Sequence, residues 1–111
     1  MIKITDVRIK NSLLLYGEVV KVTEIGFKDD DFYLRVEGKN NGYYIDQFEP
    51  IRLNDTIHKT LSNTDFLPNF NDNLGENWNE YWIEFKGVNL KRVRYLHEVQ
   101  NLVYELKGVE L

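Results

Sequence analysis

The sequence predicts an α+β fold: an antiparallel meander or small barrel-like sheet, a short middle helix and a C-terminal amphipathic helix. Two patterns carry this reading. Short runs of apolar and β-branched residues recur at about ten-residue spacing with turn residues between them, the mark of an antiparallel meander. Helical periodicity then appears over the last part of the chain. A third observation makes a core feasible at this size. The 111 residues include two Trp, seven Tyr and six Phe, each burying a large area.

The elements follow in order. Leu13–Tyr16 is an apolar run closed by Gly17, and Val19–Ile25 is rich in β-branched residues. Asp29-Asp30-Asp31 marks a turn, because adjacent like charges resist burial. Phe32–Glu37 alternates, with Phe32, Leu34 and Val36 on one face. Gly38–Gly42 supplies residues that tolerate positive φ, and Tyr43–Phe48 is expected to return as a strand. After Pro50, Asn54 is a good N-cap for a short helix over Asp55–Ser62 that buries Ile57 and Leu61. Asn63–Asn79 holds six Asn and scattered aromatics, and is expected to be a long loop packed over the core. Tyr81–Phe85 and Val88–Arg94 read as a second hairpin. In Tyr95–Lys107, Tyr95, Val99, Leu102 and Leu106 fall on one helical stripe, widened by Leu96 and Val103, with Gly108 placed to end it. The expectation is one domain over 1–111, with strands over 1–50, the helix and Asn-rich loop over 51–80, and the hairpin and last helix over 81–111.

Composition excludes several classes. With no cysteine there is no disulfide framework, thiolate metal site or cysteine nucleophile. No apolar run reaches the length of a membrane span, and Met1–Lys10 lacks the apolar stretch of a signal peptide. A cytoplasmic protein without membrane contact is expected. The glycines form no phosphate-binding loop, and neither serine sits in a nucleophile elbow. His58 and His97 lie in no metal-ligand spacing, so neither a metal nor a cofactor is expected, and the reading is non-enzymatic. An enzyme with an unrecognised site would need a deep pocket holding one of these histidines against a carboxylate.

Charge is more informative. The net charge of −4 argues against general nucleic-acid binding. The charges are nevertheless segregated. Between Lys59 and Lys86 there is no basic residue, and Asp65, Asp72, Glu76, Glu80 and Glu84 all fall there. Lys86, Lys91, Arg92 and Arg94 follow without an intervening acid. Lys86, Lys91, Arg92 and Arg94 are therefore the candidates for a local nucleic-acid contact. Asp65, Asp72, Glu76 and Trp78 are the candidates for a basic protein surface.

The C-terminal stretch Tyr95-Leu96-His97-Glu98-Val99-Gln100-Asn101-Leu102, with Gly108-Val109-Glu110-Leu111, resembles the closing signature of a family of small phage and prophage proteins. Val7-Arg8-Ile9-Lys10-Asn11 and Phe48-Glu49-Pro50-Ile51-Arg52-Leu53-Asn54 resemble its opening and middle. Lys10 stands where that family has glycine, and Ser12 where it has tryptophan. The resemblance implies a phage setting in the host bacterial cytoplasm. That setting includes many small acidic inhibitors of host defence, the anti-CRISPR proteins among them. A partner implied by it is the RNA-guided RNA nuclease of a type VI-B system, or its guide RNA. The alternative is a phage housekeeping adaptor in DNA replication or packaging.

Overall fold

The computed structural model describes residues 2–54, 56–70 and 80–111. They form an α+β fold dominated by antiparallel sheet, divided into two compact units, Met1–Ile51 and Arg52–Leu111.

The first unit is a five-stranded sheet in the order β4-β3-β2-β1-β5. β1 (Ser12–Leu15), β2 (Glu18–Lys28), β3 (Asp31–Val36) and β4 (Gly42–Tyr44) run as a meander. β5 (Phe48–Glu49) pairs back onto β1. Tight turns set this register. Tyr16 and Gly17 have φ of 51° and 80°, and Asp29 and Asp30 have 53° and 62°. Two consecutive left-handed residues are the primed turn whose twist matches that of the strands it joins. β2 carries a register shift between Val22 and Glu24, so its start pairs with β1 and its end with β3. Leu13, Leu15, Val22, Leu34 and Val36 form the core of this sheet.

Two expectations are corrected in this unit. The sheet is not a closed barrel: β4 and β5 each have one neighbour in the strand order. The strand expected over Tyr43–Phe48 is broken by a 3₁₀ turn at Ile45–Gln47, where Gln47 Oε1 accepts the Tyr44 N–H at 2.9 Å. That turn carries the chain from β4 to β5 at the other edge.

Asn11 is fully buried and ties the N-terminal segment to β2. Its Oδ1 accepts the Arg8 N–H at 2.7 Å, and its carbonyl accepts the Val22 N–H at 2.9 Å. The neighbouring Lys10 takes φ 79° to make this bend and donates its own N–H to Val22 O at 2.7 Å.

The second unit contains α1 (Ile57–Thr60), a three-stranded sheet in the order β6-β7-β8, and α2 (Leu96–Lys107). α1 is shorter than expected and buries Ile57 and Leu61 as expected. Asp55 lies outside the described residues. The N-cap is Thr56 and not the expected Asn54, whose Oδ1 instead closes a local turn by accepting the Thr56 N–H at 2.9 Å.

β6 (Phe66–Phe70) is a correction to the long loop. It pairs with β7 (Tyr81–Phe85), placing Phe66 opposite Phe85 and Pro68 opposite Ile83. Proline is tolerated here because β6 is an edge strand. β8 (Val88–Val93) returns from β7 through Lys86 and Gly87, whose φ values are 50° and 83°. Phe66, Tyr81, Ile83 and Val93 form a core with Val99 and Val103 of α2.

Glu98 starts α2 by accepting the N–H of Arg94 at 2.9 Å and of Tyr95 at 3.0 Å. Gly108 ends it at φ 67°, donating its N–H to Tyr104 O at 2.7 Å. Of the expected stripe, Val99 and Val103 are buried and Leu96 and Leu102 pack against the core, while His97 and Gln100 are buried beyond it. Leu106 of that stripe is exposed.

Candidate functional site

The face of the three-stranded sheet turned away from α2 is built by strand alternation. Tyr81 and Ile83 point into the core, so Trp82 and Glu84 point outward, and Glu80 lies on the same side one pleat earlier. Register completes the face: Trp82 stands opposite Asn69 on β6 and Arg92 on β8, and Glu84 opposite Leu67 and Asn89. Asn69 Nδ2 donates to Glu84 Oε1 and to Asn89 Oδ1, each at 3.3 Å. The Arg92 guanidinium lies 5.7 Å from the Trp82 ring centroid.

Glu80 organises the basic end of this face. It is 3% exposed, and its Oε1 lies 3.6 Å from Arg92 Nε and 3.9 Å from Arg94 Nε. Both arginines remain about half exposed. One buried carboxylate thus sits behind two guanidiniums, and Nε is the nitrogen nearest to it in both contacts.

The structure brings only part of the sequence-derived basic set together. Arg92 and Arg94 meet at Glu80. Lys86 occupies the tip of the β7–β8 hairpin, its Nζ 5.3 Å from the Phe85 ring. Lys91 lies opposite Ile83 on the edge strand β8 and has no ion pair among the described residues. The acidic set is not assembled. Asp65 pairs with Lys107 of α2 at 3.5 Å and stands away from this face. Asp72, Glu76 and Trp78 lie outside the described residues.

In the sequence Glu80 is one acid among several. Its position two residues before Trp82, within an alternating strand, was the signal that it shares a face with that ring. Trp82, Asn69 and Asn89 were legible only through strand pairing. Of the two histidines, His58 is exposed, and His97 is buried with its ring stacked on Tyr95 at 5.9 Å.

No group of acids and histidines able to hold a metal ion occurs among the described residues. No helix among them is long and apolar enough to cross a membrane. Compared with known proteins, the chain matches no family model, no curated protein and no solved structure.

Proposed function

We propose that this chain is a non-enzymatic, phage- or prophage-encoded binding protein. In this reading it inhibits a bacterial defence nuclease of the RNA-guided type VI-B class by laying the outer face of β6-β7-β8 against the guide RNA. The observation that carries the reading is Glu80 behind Arg92 and Arg94. A carboxylate at Nε orients a guanidinium and leaves its remaining donors for a phosphate, which arginine binds as a planar fork.

The rest of the face supports the same chemistry. Trp82 beside Arg92 offers a ring on which an unpaired base stacks. The Asn69–Glu84–Asn89 cluster offers polar groups to base edges. A chain of net charge −4 has too few cations to track a long duplex, so a short local contact fits better. The phage setting comes from the resemblance at the C-terminus.

The test is affinity capture from the host bacterium, with and without ribonuclease, together with an RNA-cleavage assay of the captured nuclease. The expected result is a nuclease whose activity the chain suppresses, with suppression lost in the R92E/R94E variant. Full suppression by that variant would sink the assignment of the face. Capture of a phage replication or packaging protein in place of a nuclease would favour the housekeeping adaptor.

A further inference from the structure

The first unit carries a cleft that the proposal above does not use. It lies on the β2-β3-β4 part of the sheet, is lined by Lys28, Tyr33, Arg35, Gly42 and Tyr44, and encloses about 240 Å³. Alternation places it on the face opposite the core, since Leu34 and Val36 point inward while Tyr33 and Arg35 point out.

Its floor is the ring of Tyr33, laid flat across the neighbouring strands. A Cβ on Gly26 of β2 would lie 2.2 Å from Tyr33 Cζ, and one on Gly42 of β4 would lie 2.7 Å from Tyr33 Cδ2. Glycine on both flanks is what lets the ring lie down. Covering glycine backbone with an aromatic ring is by itself a structural device. That device requires neither a second ring nor flanking cations, and the cleft has both. Tyr44 is the cross-strand partner of Tyr33 and forms a wall. Its hydroxyl donates to Asp29 Oδ2 at 3.4 Å. Arg35 is steadied by Glu24 at 3.3 Å, and Lys28 has no ion pair among the described residues.

From this arrangement we infer that the cleft binds a nucleoside phosphate, with the base stacked on Tyr33 and the phosphate held by Lys28 and Arg35. Lys28 and Arg35 are the charged side chains that line the cleft and supply its donors to an anion, with Asp29 at the rim through Tyr44. The size suits one base laid on the ring of Tyr33 and not a ligand enclosed whole. At 240 Å³ the cleft falls below the range of about 300–1,000 Å³ typical of pockets that enclose a whole small molecule. Asp29, Asp30 and Asp31 at the adjoining turn disfavour a run of phosphates along this edge. The nucleoside phosphate comes either as a free mononucleotide or as one residue of a single strand.

The experiment is calorimetric titration of the full chain with adenosine monophosphate, with a short single-stranded RNA, and with ribose 5-phosphate as the ring-free control. Adenosine monophosphate is expected to bind, and Lys28→Glu and Tyr33→Leu each to weaken it about tenfold or more, in the range of losing one stacking or one charged contact. Tyr33→Phe is expected to retain binding. Circular dichroism of Lys28→Glu, a surface change, guards against misfolding. Binding of the RNA alone, still dependent on Tyr33 and Lys28, assigns the site to a strand. Equal binding of ribose 5-phosphate, indifference to Lys28→Glu, or no binding of either nucleotide ligand overturns the inference.

Discussion

Glu80 and Arg92 form an ion pair of unequal burial: the acid is 3% exposed, the side chain of the arginine 57%, and Oε1 lies 3.6 Å from Nε. The buried partner sets the energetics. A carboxylate held in the protein needs compensation, while an arginine at the surface pays little to leave.

The single variants Arg92→Ala and Arg94→Ala are therefore expected to cost less than about 1 kcal/mol each, because either guanidinium remains beside Glu80. The double variant is expected to cost about 1–3 kcal/mol, more than the two singles together. Urea unfolding of the three variants measures this, and strict additivity would show that the two arginines do not share Glu80.

Lys10 holds a left-handed backbone at φ 79° in the bend before β1. A side chain in that conformation costs about 1 kcal/mol relative to glycine. Lys10→Gly is expected to raise the melting temperature, while Lys10→Val lowers it.

Removing the Asn11 side chain is expected to destabilise the first unit by about 1–3 kcal/mol. Asn11→Ala leaves the Arg8 N–H without its acceptor beside a fully buried site. Hydrogen exchange should quicken first at Val22, whose N–H is held by the Asn11 carbonyl.

The phenol of Tyr44 is held above its ordinary value near 10, by desolvation first and then by the Asp29 carboxylate, which also accepts its hydrogen bond. A raised phenol means the folded chain holds this proton more tightly than the unfolded chain does. Its contribution is present below pH 10 and is lost as pH rises through the folded value. Ultraviolet titration should show one tyrosine ionising late, absent in Tyr44→Phe and moved downward in Asp29→Asn. A Tyr44 that ionises at the ordinary value would remove the Asp29 contact from the cleft.

Local patterns made the meander legible. Alternation in Phe32–Val36 and in Tyr81–Phe85 exposed the strands, and the Asp29-Asp30 and Lys86-Gly87 pairs marked turns where the backbone does become left-handed. Gly108 likewise ended the last helix by capping chemistry that acts within a few residues, whereas the cap of α1 falls at Thr56 and not at Asn54. β6 escaped because Phe66-Leu67-Pro68-Asn69-Phe70 has no strand signal of its own. Only pairing with β7 makes Pro68 a strand residue. The break at Ile45–Gln47 was missed for a related reason: β5 must cross to β1, a demand made by the sheet and not by those residues.

The candidate sites divide along the same line. Residue order alone already implied an α+β chain with segregated charge and set Arg92 and Arg94 in a basic hairpin. Tertiary structure decided what those charges do. Antiparallel register set Arg92 beside Trp82 and put Glu80 behind both arginines, and it laid Tyr33 between two glycines from different strands. Propensity, turns and caps act over a few residues, so a single sequence displays them. Cross-strand neighbours come from distant parts of the chain, and only the folded sheet brings them within reach of one another.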